Sequence, residues 1–183
     1  MRRWRRMRPH RYAKNEAELI ELARQMKRWA CPHCGRQETI NAHGALRGNA
    51  ESGPGKGALR GRRFFCSNRG NRPGCGQTFS IWLATMIAGA SVRSRGLWRF
   101  YQAKLAAESV FAAWAGLRGG FSLEAAYRWW RRWPRAEIEL RSWLCDQRGP
   151  PAEGQVLGQL AAVFGTDDPI AGFQAETQRG WPG

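Results

Sequence analysis

Four cysteines in two pairs constrain the fold of this 183-residue chain more than any other feature. The first pair, Cys31 and Cys34, is followed at once by Gly35. Two thiolates three residues apart on a turn can hold one metal ion, and a glycine lets the chain fold back beneath it. The second pair, Cys66 and Cys75, is separated by eight residues. Such an insertion can loop out without moving the two sulfur atoms, provided that its ends meet.

The quartet predicts a closed tetrahedral site for one structural Zn²⁺ ion. A segment of about 50 residues that contains a long glycine-rich stretch buries too little surface to fold unaided. A structural zinc ion supplies on the order of 10 kcal/mol of coupled folding energy. A ligand set in which His33 or His43 replaces one cysteine is an alternative, and so are unligated thiols. The fifth cysteine, Cys145, is expected to be a buried small apolar residue on a helix.

The charge of the chain indicates a polyanionic partner. Lys and Arg number 30 against 14 Asp and Glu, and 26 of these cations are arginines, whose guanidinium groups fork onto phosphates and stack on bases. Residues 1–135 hold 27 cations and 7 acids, whereas residues 136–183 hold 3 cations and 7 acids. A genome rich in G and C, which favours arginine codons, explains the total as well, but it does not explain this asymmetry.

Two segments are candidate DNA-binding elements. The first is the arginine-rich start of the chain, which contains no acid and would enter a minor groove or follow the backbone. The second lies in residues 110–135, where a helix, a glycine-containing turn and a helix capped by Ser122 are the parts of a helix-turn-helix. With positions 123, 126, 127, 130 and 133 packed inward, the opposite face would present arginines to bases and phosphates. The alternative is a trihelical bundle whose arginines only solvate its surface. The predicted DNA-binding residues are Arg2, Arg3, Arg5, Arg6, Ser122, Ala125, Arg128, Trp129 (taken as exposed), Arg131, Arg132 and Arg135.

Three motifs together carry a family resemblance. They are Cys-Pro-His-Cys-Gly at 31–35, the aromatic pair before Cys66, and Cys-Gly-Gln-Thr-Phe-Ser at 75–80. They resemble the zinc ribbon at the N-terminus of many insertion-sequence transposases, in which a similar sequence closes the second knuckle and a helix-turn-helix follows. The run from Ser122 to Trp130 is similar to the recognition helices of that family. The eight-residue gap before Cys75 departs from the family pattern.

The predicted fold class is small α+β: a zinc ribbon of short antiparallel strands followed by a mainly helical helix-turn-helix bundle. Four segments are expected: a basic arm and leading helix at 1–30, the ribbon at 31–80, the helix-turn-helix bundle at 81–148, and an acidic tail with one amphipathic helix at 149–183. Inside the ribbon, six glycines between Gly44 and Gly61 predict a long flexible loop. Pro134 is expected to stop or kink one helix, and Glu137–Leu144 to form another.

The sequence predicts binding of double-stranded DNA, sequence-specific or structure-guided, in a transposon-associated or regulatory role. A transposase of the acid-triad type needs a further domain of about 100 residues or more that presents three carboxylates to two metal ions, so we expect no catalysis. RNA binding is one alternative, and a protein-interaction module that docks through residues 152–165 is another.

No apolar run approaches the ~18 residues of a membrane span. An odd number of cysteines without a secretory signal predicts a cytoplasmic, nucleoid-associated protein.

Overall fold

The structure is a computed structural model that describes residues 11–50, 53–71, 73–90, 92–107, 109–117, 121–151 and 154–182. It is a small α+β protein with a four-stranded sheet and six α-helices. Two compact units divide the chain, one holding residues up to Ala50 together with Pro54–Leu83, and the other holding Ala84–Gly183. None of the described helices is both long enough and apolar enough to cross a membrane.

The first unit packs one helix against the sheet. Its elements in chain order are β1 (Tyr12–Ala13), α1 (Glu16–Gln25), a 3₁₀ turn (Met26–Arg28), β2 (Ile40–Ala50), β3 (Gly53–Cys66) and β4 (Thr78–Leu83). The sheet order is β1-β4-β3-β2, with β1 parallel and β3 antiparallel to β4. Asn15 caps the start of α1, because its side chain accepts a hydrogen bond from the Glu18 backbone N–H at 2.9 Å. Leu19, Leu22 and Met26, which recur at helical spacing, are buried.

The glycine-rich segment from Gly44 to Gly61 is not a flexible loop, and that prediction was wrong. It forms most of β2 and β3, which are neighbours in the sheet. A Cβ atom added at Gly57 would lie 2.4 Å from the Gly48 carbonyl oxygen, and one at Gly61 would lie 2.3 Å from the carbonyl oxygen of Ile81. The glycines therefore allow close approach of neighbouring strands, a role that the sequence pattern alone does not distinguish from loop flexibility.

The second unit is helical. Its elements are α2 (Ser94–Ala106), α3 (Val110–Ala115), α4 (Leu123–Arg148), α5 (Val156–Phe164) and α6 (Pro169–Thr177). Pro134 does not stop the helix, which was one of the two outcomes expected there, and the prediction of a separate helix at Glu137–Leu144 was wrong, because α4 runs through both. Buried side chains recur at helical spacing on both sides of Pro134, so packing outweighs the one backbone hydrogen bond that proline cannot make. The buried row of α4 comprises Ala126, Trp129, Trp133, Ala136, Leu140 and Leu144.

The acidic tail contributes two helices to this unit rather than the one expected. The apolar side chains of α5, which made residues 152–165 a candidate docking segment, are buried in the core of the unit. Gln174 on α6 is fully buried, and its Nε2 donates to the carbonyl oxygens of Ala84 at 2.6 Å and Met86 at 3.0 Å. Its Oε1 accepts from the backbone N–H of Trp181 at 3.0 Å. One buried amide thus ties the first residues of the unit to its last ones.

Candidate metal centre and arginine face

The four predicted sulfur ligands lie together. The Sγ atoms of Cys31, Cys34, Cys66 and Cys75 are all within 4.8 Å of one another. The distance from Cys31 Sγ to Cys75 Sγ is 3.8 Å, and that from Cys34 Sγ to Cys66 Sγ is also 3.8 Å. A tetrahedral site with metal–sulfur bonds of about 2.3 Å has sulfur–sulfur edges of about 3.8 Å. The cluster therefore has the dimensions of a four-thiolate metal site.

The first knuckle is closed by two backbone hydrogen bonds. The Gly35 N–H donates to the Cys31 carbonyl at 2.8 Å, and the Cys31 N–H donates to the Arg36 carbonyl at 2.8 Å. Gly35 has a φ of 75°, in the left-handed region that favours glycine. This turn brings the Cys34 thiol back over the Cys31 thiol, as the spacing predicts.

The second knuckle has the same two backbone hydrogen bonds as the first. The Gly76 N–H donates to the Cys66 carbonyl at 2.9 Å, and the Cys66 N–H donates to the Gln77 carbonyl at 2.9 Å. Gly76 also has a φ of 75°. The Cys75 N–H lies 3.3 Å from Cys66 Sγ, a contact that stabilises a thiolate. The two halves of the site therefore share one geometry despite their different spacing.

The eight-residue gap does not disturb this geometry, because its ends touch. The Gly74 N–H donates to the Ser67 carbonyl at 3.0 Å. These two residues are the chain neighbours of Cys75 and Cys66, so the hydrogen bond closes the insertion next to the sulfur cluster. A Cβ atom at Gly74 would lie 2.1 Å from the Ser67 oxygen and 2.9 Å from Cys66 Sγ. Only glycine fits at this position. With the insertion set aside, Cys66-Ser67-Gly74-Cys75 has the same length as the first knuckle.

The environments of the thiols differ. Burial raises the pKa of Cys31 to about 12. Burial also opposes ionisation of Cys66, but hydrogen bonds from the Thr39 hydroxyl and the Cys75 N–H outweigh it and lower the pKa of Cys66 to about 7. The Thr39 Oγ1 is 3.1 Å from Cys66 Sγ, and the Thr39 side chain is buried. Sequence reasoning missed Thr39 as a supporting residue, because its contact with Cys66 joins residues that are 27 positions apart in the chain.

His33 and His43, the alternative ligands considered from the sequence, contribute no ring nitrogen to the sulfur cluster. The His33 ring lies 6.3 Å from that of Phe79, and the His43 ring lies 6.5 Å from that of Phe65, both in edge-on arrangements. Neither residue belongs to the group of candidate metal ligands found among the described residues. Cys145 is also outside this group, and it is exposed on α4, so the prediction of a buried Cys145 was wrong.

The outward face of α4 is rotated relative to the prediction. Trp129 was predicted to be exposed on a DNA-binding face, but only 6% of it is accessible, and that prediction was wrong. Tyr127 was predicted to pack inward, but it is 43% exposed. The reason is the length of the helix: the buried row continues to Leu144, and its direction is set by the whole helix rather than by its first three turns. Ala125 is half-buried, and the Ser122 hydroxyl caps the helix by accepting from the Ala125 N–H at 3.3 Å.

The four predicted arginines of α4 are exposed. Arg128, Arg131 and Arg132 line a shallow recess together with Glu124 and Tyr127. The Arg132 guanidinium lies 5.6 Å from the centre of the Trp129 ring, so the buried indole supports one of the cations. Arg135 pairs with Glu139 at 3.5 Å, an exposed contact of small energetic worth. The remaining predicted DNA-binding residues, Arg2, Arg3, Arg5 and Arg6, lie outside the described residues.

Comparison of the chain with protein-family models, with curated proteins and with solved structures gave no match in any of the three. The likeness to insertion-sequence transposases therefore remains a prediction from the motifs. The site is characterised by its own geometry: a four-sulfur cluster in one unit and an arginine face on the longest helix of the other.

Proposed function

We propose that this protein is a non-catalytic, double-stranded DNA-binding protein in which the four cysteines hold one zinc ion in a zinc ribbon. The chemistry of the donor set supports zinc, because four thiolates in a tetrahedral arrangement are typical of structural zinc sites. The ion would cross-link the ends of β3 and β4 to the turn at Cys31, and would stabilise the first unit. A transposon-associated or regulatory role is the corresponding biological proposal.

The observation that carries the DNA-binding proposal is the exposed arginine row Arg128, Arg131 and Arg135 on α4. A major groove of about 12 Å accepts an α-helix, and arginine pairs with two acceptors of guanine or with backbone phosphates. In this proposal α3 and α4 act as a helix-turn-helix. Trp129 supports Arg132 from inside the helical unit instead of contacting DNA itself.

The test is a titration of the zinc-loaded full chain against a randomised duplex pool and then against the selected duplex, at several salt concentrations. We expect the logarithm of the association constant to fall with log salt by about 0.9 for each phosphate contact, with six to eight contacts in total for the whole protein. Replacing Arg128 and Arg131 together by glutamine should weaken binding of the selected duplex by about 5- to 150-fold for each lost base pair contact.

The matched control is Arg99→Gln, which removes an exposed arginine from α2 of the same unit. This variant should retain the affinity of the parent protein, because Arg99 is not on the proposed DNA-binding face. Affinity that is independent of salt, or an equal loss in the Arg99 variant and in the α4 variants, would contradict the proposal.

A further inference from the structure

We propose that the first unit has a second nucleic-acid surface, centred on Phe65, that binds unpaired single strands by stacking a base on the aromatic ring. This surface lies on the sheet rather than on α4, and the inference does not depend on duplex binding by α4. The ligand class is single-stranded DNA or RNA, which offer the same base faces and phosphates.

The strand register places the two adjacent phenylalanines on opposite sides of the sheet. Phe64 pairs with Phe79 across β3 and β4, is fully buried, and stacks on the Phe79 ring at 5.5 Å. Phe65 pairs with Thr78, which is exposed, and Phe65 itself is only half-buried. The core therefore accounts for Phe64, whereas the half-buried Phe65 ring lies on the opposite face of the sheet.

The groups around Phe65 suit a base and its phosphate. The exposed His43 ring meets the Phe65 ring edge-on at 6.5 Å. The Arg69 guanidinium lies 5.8 Å from the centre of the Phe65 ring. Arg63, two residues before Phe65 on the same face of β3, is exposed. Aromatic rings flanked by arginines form stacking platforms for unpaired bases, and duplex bases cannot use them because their faces are already stacked.

The charge of this part of the chain is complementary to a polyanion. Residues 39–80 contain seven arginines and lysines and a single acid, Glu51. Arg69 lies in the insertion between Cys66 and Cys75, whose ends are held together by the Ser67–Gly74 hydrogen bond. This hydrogen bond therefore fixes the base of the loop that presents Arg69 to the ring.

The experiment uses the metal-loaded full chain and labelled oligothymidylate and oligouridylate of about 15 nucleotides, which span one single-strand site, with a blunt duplex beside them. Phe65→Leu removes the aromatic face and keeps an apolar side chain, and Arg69→Gln removes the cation without touching the core. Phe111→Leu is the matched control, because Phe111 is a 55% exposed phenylalanine on α3. The absorption of the Co²⁺-substituted protein reports whether each variant retains the metal centre.

We expect Phe65→Leu to weaken single-strand binding by at least about fivefold, the lower end for one stacked base. Arg69→Gln should weaken it in the same direction, while Phe111→Leu should not, and duplex affinity should stay unchanged in the Phe65 and Arg69 variants. Tighter binding of either the deoxyribose or the ribose oligonucleotide would identify the natural ligand as single-stranded DNA or RNA and would support the proposal. Absence of single-strand binding by the parent protein, or unchanged binding in metal-retaining Phe65→Leu and Arg69→Gln proteins, would overturn it. Loss of duplex binding in the α4 arginine variants tests the proposed function separately.

Discussion

Deletion of Asn68–Pro73 from the second knuckle is expected to tighten metal binding rather than abolish it. The deletion joins Ser67 directly to Gly74 and leaves Cys66-Ser67-Gly74-Cys75, the same two-residue spacing as in the first knuckle. The structure already brings these ends together, since the Gly74 N–H reaches the Ser67 carbonyl at 3.0 Å. The change therefore removes chain that lies outside the sulfur cluster.

The magnitude follows from loop closure. Between the two cysteines the loop shortens from eight residues to two, which is two halvings of its length. Each doubling of loop length costs about 0.6 kcal/mol, so the deletion should favour metal binding by about 1.2 kcal/mol, or about eightfold in affinity. The opposite effect is expected of Gly74→Ala, because its Cβ would lie 2.1 Å from the Ser67 oxygen. Disturbing a supporting contact of this kind typically costs about 10- to 100-fold in metal affinity.

The assay is a competition titration of the reduced protein against a chromophoric chelator, with Zn²⁺ and with Co²⁺. Co²⁺ adds an absorption band that reports tetrahedral thiolate coordination. Gly70→Asn is the control within the insertion, since Gly70 has a φ of 58° that asparagine tolerates and no atom near its Cβ position. It should leave the affinity unchanged.

A deletion variant that binds metal more than tenfold more weakly than the parent protein would refute this reasoning. In that case the insertion, and not the Ser67–Gly74 closure, would hold Cys75 in place. A Gly74→Ala protein with the affinity of the parent would refute the steric part of the argument.

Three further predictions concern single side chains. Thr39→Val removes the hydroxyl that lies 3.1 Å from Cys66 Sγ and should weaken metal binding by about 10- to 100-fold in the same competition assay. Trp133→Ala should lower the free energy of unfolding of the helical unit by about 3–5 kcal/mol in urea titrations, while Ile138→Ala, at a residue 69% exposed, should change it by less than about 0.5 kcal/mol. Burial raises the pKa of Asp168 above its usual 3.8, so its contribution to stability is present below about pH 3.8 and is lost as the pH rises through the folded-state pKa. Asp168→Asn should remove this part of the pH dependence, measured by tryptophan fluorescence; an unchanged pH profile would contradict the assignment.

The four-cysteine cluster could be predicted from the sequence because its signal is local. Cys31 and Cys34 are three residues apart with a glycine after them, and Cys75 is followed by a glycine in the same way. The spacing did not reveal how the insertion closes, which depends on a contact between Ser67 and Gly74. It also did not reveal Thr39, because the contact of its hydroxyl with Cys66 spans 27 residues of chain.

The errors in α4 and in strands β2 and β3 share one physical cause, which is that partners distant in sequence decided the outcome. Pro134 normally ends a helix, but the buried residues that follow it, such as Leu140, hold α4 together across it. The orientation of Trp129 was set by that longer buried row. The glycines between Gly44 and Gly61 indicated flexibility only as long as the neighbouring strand was unknown. A strand position that lacks a side chain allows the neighbouring strand to approach closely.

The buried amide of Gln174 has a consequence for biosynthesis. It joins Ala84 and Met86 to Trp181, and the Trp181 ring lies 6.2 Å from that of Tyr101. The aromatic core of the helical unit is therefore complete only after Trp181 has been synthesised and has emerged from the ribosome. A chain that ended between α5 and that point would lack both the Gln174 amide and the Trp181 ring beside Tyr101.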